Sequence, residues 1–244
     1  MQKEILVLAK SWKQGGFCVA GLEVRTRADG SKSLTRNWIR PVCASANSEY
    51  TGALPKVWCD SFGILDCIDL KLDRHVPAET QPENWLLRSA PVKGVYSLSD
   101  VLLLGNIAAN DALWTDAETL RDDQIGAAAV TGIAKRSLVL IQPRELKFRL
   151  LLRETQTGVK RKILVSFMHN GHRYRDISIT DPAIGKIYSR QFPQRPGETV
   201  VTTLNHGDNY FLTLSLSPRF IDGYHYMVGA TVIDHTGYLN RNYA

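Results

Sequence analysis

The stretch from residue 147 to residue 179 constrains the fold most, because strand patterning, turn chemistry and charge coincide there. Apolar residues alternate with mainly basic ones from Lys147 to Arg153, which predicts a half-buried strand with one apolar and one basic face. Two further runs, 162–169 and 172–179, meet at Asn170-Gly171. Asn-Gly tolerates the positive φ angles of a two-residue turn, so the sequence predicts a β-hairpin here.

Positive charge is concentrated around the same hairpin. Residues 135–175 contain eleven lysines and arginines against two acids, which gives this segment a net charge of +9. The whole chain carries only +6, so the remaining parts are slightly acidic. A pI of about 9.2 permits an anionic partner, and the local excess shows where to look for its binding site.

The basic strands are the first candidate site. An anionic strand of nucleic acid needs phosphate contacts from cations and stacking platforms from aromatic rings. The candidate residues are Lys147, Arg149, Arg153, Lys160, Arg161, Lys162, Arg173, Tyr174 and Arg175. Tyr174 and its two basic neighbours face opposite sides of a strand and cannot form one flat platform. The alternative is a solvated basic face that only aids solubility.

Composition limits the class of protein. The apolar content of 44% and charged content of 22% are ordinary for a globular protein of 244 residues. Four cysteines without a CxxC pair predict reduced thiols, and neither a metal site nor a cofactor is expected. The N-terminal apolar run, residues 5–9, is too short for a signal sequence or a membrane span, which favours a cytoplasmic protein without membrane contacts.

The order of the pattern predicts an all-β protein with a few short helices. Strands are expected near residues 5–9, 17–24, 37–42, 65–72, 137–141, 148–154, 162–169, 172–179, 210–216 and 225–233, and helices near 98–104, 115–130 and 182–188. Each half has four or five short strands and an interposed helical stretch. This count suits two small Greek-key, OB-like barrels, an N-terminal one at residues 1–130 and a C-terminal one at 131–244.

Five short segments, spaced over nearly the full length, resemble the bacterial dual OB domain family. They are Lys10-Ser11 with Lys13, Gly15-Gly16 and Cys18–Gly21; Trp38–Val42; Gln81–Asn84; Ile179–Pro182; and Leu214–Leu216 with Pro218 and Phe220. The resemblance implies two OB folds and a nucleic-acid or nucleotide ligand, often in the setting of prokaryotic defence systems. It supplies no catalytic residues. The chain departs from the family at Tyr226–Val228, where a lysine is expected.

A possible ligand turn lies near the N-terminus. It comprises Lys10, Ser11, Trp12, Lys13, Gly15 and Gly16, with Trp38 and Arg40 on a later strand. Glycines flanked by lysines can present backbone N–H groups to an anion. The alternatives are a plain hairpin turn and, for Arg40, a structural role at the barrel end. A P-loop is excluded, because no GK[ST] follows and the next element is a strand.

The six histidines form no recognisable catalytic or metal-binding motif. His169 and His172 flank the Asn-Gly turn and can meet across the hairpin with Asp176 nearby. Turn histidines without a catalytic role are commoner, so the sequence predicts a protein that is not an enzyme.

The predicted function is non-catalytic binding of nucleic acid, with single strands preferred and phosphate contacts from the C-terminal barrel. One alternative is a sensor that binds a nucleotide or small anionic ligand at the N-terminal turn. Another is an adaptor that uses a barrel surface to hold a protein partner. The pattern does not distinguish RNA from DNA, because no residue here encodes a contact to a 2′-OH.

Overall fold

The computed structural model describes residues 1–13, 15–44, 50–133, 136–204 and 209–243. In these residues the first sheet contains β1 (Gln2–Lys13), β2 (Gly16–Thr26), β3 (Lys32–Ala44), β4 (Tyr50–Thr51), β5 (Leu54–Pro55), β6 (Asp66–His75), β7 (Asn84–Leu87) and β8 (Val92–Ser97). The second contains β9 (Gln124–Gly126), β10 (Leu138–Ile141), β11 (Arg144–Thr155), β12 (Gly158–His169), β13 (His172–Ile179), β14 (Thr199–Thr202), β15 (Tyr210–Leu216) and β16 (Tyr224–Asp234). The helices are α1 (Lys56–Cys59), α2 (Ala127–Ile133), α3 (Pro182–Ile187), α4 (Tyr238–Tyr243) and a 3₁₀ helix (Val101–Asn106).

The first sheet closes into a five-stranded barrel. The strand order is β1-β2-β3-β7-β6 and back to β1, with β3 and β7 parallel and the other neighbours antiparallel. A bulge between Val7 and Ala9 bends β1 so that it can pair with both β2 and β6. Opposite the bulge, a Cβ on Gly21 would lie 2.1 Å from the Leu6 carbonyl oxygen, so the bend requires a glycine.

The second sheet repeats this order with a divided first strand. The sequence of neighbours is β10-β15-β16-β13-β12-β11, again with one parallel pair, β13 and β16. Only Gln142-Pro143 separates β10 from β11, so these two strands take the place that the bent β1 takes in the first barrel. In both barrels a short helix follows the third strand. The fold is therefore mostly β with two OB-like barrels, as the sequence predicts.

Local predictions fared unevenly. The hairpin at Asn170-Gly171 is confirmed, with φ angles of 48° and 77° at the turn. The predicted helix at 115–130 is wrong, because only Ala127–Ile133 is helical there. Asp116 instead accepts hydrogen bonds from the backbone N–H groups of Glu118 and Gly126, which favours irregular backbone over a helix.

Other elements lie where the sequence predicts loop or a different boundary. Strands β8 and β14 fall in segments without a strong strand pattern. The predicted helix at 98–104 is a 3₁₀ helix that starts after Asp100, whose side chain accepts a hydrogen bond from Leu102 N. Strand β9 already pairs with β16, so the change from one sheet to the other occurs before residue 130, where the sequence analysis divides the chain.

The barrels are joined along β1, through alternate residues of its backbone. The Leu8 carbonyl, left unpaired by the bulge, accepts a hydrogen bond of 2.6 Å from Thr213 Oγ1. Lys10 N donates to Thr231 Oγ1 at 3.1 Å, and Trp12 N donates to the Thr180 carbonyl at 3.1 Å. A cluster of small residues and one leucine fills this seam and lets the barrels approach closely: Ala9, Ala20, Leu138 and Ala230.

The apolar core of the C-terminal barrel contains large side chains such as Phe148, Phe167 and Leu212.

Among the described residues no helix combines the length and apolar character needed to cross a bilayer.

Candidate nucleic-acid interface

The predicted basic residues lie on three neighbouring strands of the C-terminal barrel, β11, β12 and β13. In an OB fold the second and third strands form the usual ligand face, bounded by the loop between strands one and two and by the loop between strands four and five. Here these are β12 and β13, the turn at 156–157 and the loop at 217–223. The fold thus places the basic strands on the face where OB barrels take their ligands.

Two of the arginines are already paired with acids. Arg149 lies 2.6 Å from a carboxylate oxygen of Asp176, and Arg173 lies 2.5 Å from one of Glu145. Both acids have positive φ angles, 57° and 52°, and both occur at irregularities of the ladder. The backbone distortion aims each carboxylate at an arginine. These two arginines have less positive charge to offer a ligand.

A second group of cations is not neutralised in this way. Arg153 and Lys160 face each other across β11 and β12, and Lys162 lies on the same face two pairs further along the ladder. None of the three forms an ion pair with a described residue. Like charges placed directly opposite one another destabilise a sheet. We call Arg153, Lys160 and Lys162 the cationic cluster.

The pKa of Lys162 is lowered by its surroundings. Burial lowers the pKa of Lys162, and Arg153 lowers it further, whereas Asp123 opposes the shift. A phosphate beside the cluster would relieve the repulsion and favour the charged lysine. The cluster is therefore better suited to an anionic ligand than the paired arginines are.

Trp12 and Arg161 meet in one groove between the barrels. Its volume is about 490 Å³, and Trp12, Arg161 and Phe192 contribute to its walls. The Arg161 guanidinium lies over the Phe192 ring at 5.1 Å, and Trp12, which is 48% exposed, contacts Phe17 edge-on. We call the groove formed by Trp12, Arg161 and Phe192 the aromatic groove. Lys162 also lines it. Because Arg161 alternates with Lys160 and Lys162 along β12, the groove and the cationic cluster lie on opposite sides of this strand.

The structure gives several described residues of the N-terminal turn another role than the predicted anion site. Lys10, Ser11 and Gly16 are buried, and Lys13 is half-buried. Lys10 Nζ donates hydrogen bonds to the carbonyls of Cys59 and Phe62 at 2.9 and 2.7 Å. Burial also lowers the pKa of Lys10.

The two glycines of the turn serve the backbone. Gly15 has a φ of +84°, the conformation that a glycine adopts without strain. At Gly16 a Cβ would lie 2.4 Å from the Leu54 carbonyl oxygen, so the close approach of β5 requires a glycine. Both are explained by the hairpin, the alternative that the sequence left open.

Arg40 is also structural. Its side chain is buried in the seam, where Nη2 donates a hydrogen bond of 3.1 Å to Ser215 Oγ of the other barrel. Burial lowers the pKa of Arg40, an effect that the nearby Glu83 opposes. Nη1 has no partner among the described residues. Trp38 lines a different groove, between β3 and the start of the C-terminal barrel.

Tyr174 is not available to a ligand. Its side chain is 2% exposed and stacks on Phe167 with ring centroids 5.3 Å apart, inside the barrel core. Burial raises the pKa of Tyr174. The alternation of β13 therefore turns this ring inward and leaves Arg175 exposed, so stacking must come from other aromatic residues.

His169 and His172 are register partners across the hairpin but have different environments. His169 is buried, with Nε2 2.9 Å from the Asp111 carbonyl oxygen, whereas His172 is exposed and 4.0 Å from Asp122. The described residues contain no group of three or more His, Cys, Asp or Glu side chains that could hold a metal ion. Burial raises the pKa of the Cys59 and Cys67 thiols to about 11, so both stay protonated.

The structure adds an exposed loop that is not among the predicted site residues. The loop between β15 and β16 exposes Phe220 and Ile221, and Tyr224 follows at the start of β16. Arg121 lies 5.8 Å from the Tyr226 ring beneath this loop. The sequence feature that could have indicated this loop is a pair of large apolar residues, Phe220-Ile221, inside a turn bounded by a proline and a glycine.

Comparison with known families identifies the dual OB-containing domain, whose model matches residues 3–232. The chain belongs to this family. Neither the comparison with curated proteins nor that with solved structures gives a match.

Several segments that carry the family resemblance lie at the seam of this dual OB protein. Lys10 and Trp12 bond across it through their backbones, and Arg40 reaches Ser215. The Glu83 carboxylate accepts hydrogen bonds from the backbone and the hydroxyl of Ser137. In this chain these segments form hydrogen bonds that join the two barrels.

Proposed function

We propose that this dual OB protein binds single-stranded nucleic acid without cleaving it, and that the C-terminal barrel supplies the phosphate contacts. The observation that carries the proposal is the cationic cluster on the ligand face of an OB barrel, three cations without acidic partners among the residues that the structure describes. Single-strand binding by OB folds combines a basic path for the backbone with aromatic surfaces for the bases.

The aromatic groove supports a preference for single strands. Trp12 and Phe192 lie beside Arg161, on the other side of β12 from the cationic cluster, so a single strand that crosses β12 can place phosphates at the cluster and a base in the groove. Bases inside a duplex have their faces covered by neighbouring base pairs and cannot stack on a protein ring in this way. We therefore expect weaker binding of duplexes.

The test is fluorescence anisotropy with labelled single-stranded DNA, single-stranded RNA and duplex DNA over a salt series. Three phosphate contacts predict a slope of log affinity against log salt of about −2 for a single strand. The triple variant Arg153→Ala, Lys160→Ala, Lys162→Ala should bind weakly with a slope near zero. Absence of binding by the wild type at low salt would overturn the proposal.

The absence of catalysis is a separate part of the proposal. Incubation of labelled DNA and RNA with the protein and Mg²⁺ or Mn²⁺ should leave both intact. Reproducible cleavage that disappears in His169→Ala or His172→Ala would show a nuclease instead. A role in bacterial defence, which the family resemblance suggests, stays a prediction.

A further inference from the structure

A second groove lies between the N-terminal barrel and the start of the C-terminal barrel and has a volume of about 670 Å³. Most of its walls come from the N-terminal barrel, above all from β3 and from the loop between β6 and β7, and the rest come from the segment 107–111 and from β10. It shares no lining residue with the aromatic groove. Strands two and three and the loop between strands four and five are the parts of an OB barrel that usually contact a ligand.

The groove offers aromatic surface that the protein itself does not use fully. Trp38 is partly exposed and has no ring partner among the described residues. Trp85, also partly exposed, stacks with His75 at 4.7 Å, and Lys3 Nζ lies 5.2 Å from its centroid. A planar ring is the ligand chemistry that such a surface recognises.

The charged groups of the groove differ in how they are satisfied. Lys3 pairs with Glu23 at 2.7 Å, and Arg136 pairs with Asp111 at 3.1 Å. Arg36 has only a hydrogen bond of 3.5 Å to the Asn106 carbonyl and no acidic partner among the described residues.

Arg36 and Trp38 both line this groove, and the β2–β3 ladder is irregular in the stretch of β3 between Leu34 and Trp38 that contains Arg36. An unpaired guanidinium beside an open ring matches a phosphate beside a base. We propose that this groove binds one nucleotide unit, with the base against Trp38 and the phosphate against Arg36. The unit is either a free mononucleotide or the phosphorylated end of a strand.

The first experiment is calorimetric titration of the full chain with AMP, GMP, CMP and UMP and with the matching nucleosides. We expect saturable one-to-one binding of at least one monophosphate and weaker binding of its nucleoside. Trp38→Leu should lower the affinity about tenfold, the energy of one stacked base. Arg36→Gln should reduce monophosphate affinity to the level of the nucleoside. The control Arg88→Gln removes an exposed arginine of the same barrel and should change nothing.

A second arm distinguishes the source of the nucleotide. Oligonucleotides with and without a 5′-phosphate are compared on wild type and Arg36→Gln, a change at an exposed residue. Loss of the preference for the 5′-phosphate in Arg36→Gln supports a strand end, and saturation by a mononucleotide supports a free nucleotide.

The proposal fails if no monophosphate saturates the protein by about 5 mM and no 5′-phosphate preference exists. It also fails if Trp38→Leu and Arg36→Gln both bind like wild type. The variant Arg153→Gln, Lys160→Gln should retain nucleotide binding, so failure here and failure of the C-terminal interface are distinguishable.

Discussion

The two barrels share a strand order but use their cations differently. In the N-terminal barrel Lys10 and Arg40 are buried, and they donate to backbone carbonyls and to a serine of the other barrel. In the C-terminal barrel Arg153 and Lys160 are exposed and without acidic partners in the described part of the chain. The number of basic residues in a barrel is thus a poor guide to ligand binding. Their position relative to the seam decides their role.

The first strand explains the difference. In the N-terminal barrel the bent β1 runs along the seam, and its backbone bonds to the other barrel at Leu8, Lys10 and Trp12. In the C-terminal barrel the same place in the order is divided between β10 and β11 at Gln142-Pro143. The end of the β11–β12 hairpin is exposed to solvent, which leaves its cations free for a ligand.

The largest expected effect concerns stability. Lys10→Met keeps most of the unbranched side chain but leaves the carbonyls of Cys59 and Phe62 without their donor. We expect a loss of about 3 kcal/mol in the free energy of unfolding, measured by urea denaturation. The matched change Lys160→Met at an exposed lysine should cost about 0.5 kcal/mol or less. Equal costs at the two positions would contradict the difference between the barrels.

A buried charge in the C-terminal barrel sharpens the comparison. Asp181 accepts hydrogen bonds from the backbone N–H groups of Val232 and Ala183, and burial raises its pKa to about 6. Between pH 6 and pH 4 the folded protein therefore holds a proton that the unfolded chain releases, since an ordinary aspartate has a pKa of about 4. This contribution to stability is complete below pH 4 and is lost as the pH rises through 6.

The measurement is urea unfolding of wild type and Asp181→Asn at two pH values. The stability advantage of the wild type should grow by about 1 kcal/mol between pH 7 and pH 5. An advantage that is constant or that shrinks on acidification would show that Asp181 does not titrate in this way.

The aromatic groove is expected to contribute to the affinity for single-stranded nucleic acid. Trp12→Ala removes a partly exposed ring and should weaken binding of a single-stranded oligonucleotide about tenfold, the contribution of one stacked base. The control Tyr96→Ala removes an exposed ring of β8, outside the groove, and should leave affinity unchanged. Anisotropy titration measures both. Similar losses in the two variants would remove Trp12 from the interface.

Much of the architecture follows from local chemistry. The hairpin is predictable because Asn170-Gly171 adopts positive φ angles that few residue pairs tolerate. The two barrels follow from the number and spacing of short strands. The helix expected at 115–130 fails because Asp116 bonds to nearby backbone N–H groups, and because 124–126 pairs with β16, which is about 100 residues away.

The site depends on contacts that no local pattern encodes. Burial of Arg40 arises at a seam with Ser215, a residue 175 positions later. The pairing of Arg149 with Asp176 depends on a ladder irregularity and a positive φ angle. Charge and alternation locate the basic strands, but only the tertiary structure separates paired from unpaired cations.

The most direct measurement compares two double variants that remove the same charge from neighbouring positions. One is Arg153→Gln with Lys160→Gln, and the other is Arg149→Gln with Arg173→Gln, whose arginines pair with Asp176 and Glu145. Anisotropy with a labelled single-stranded oligonucleotide at low salt should show a loss of about tenfold or more for the first variant and about threefold or less for the second. Equal losses, or a larger loss in the second, would contradict the assignment of the cationic cluster as the phosphate site.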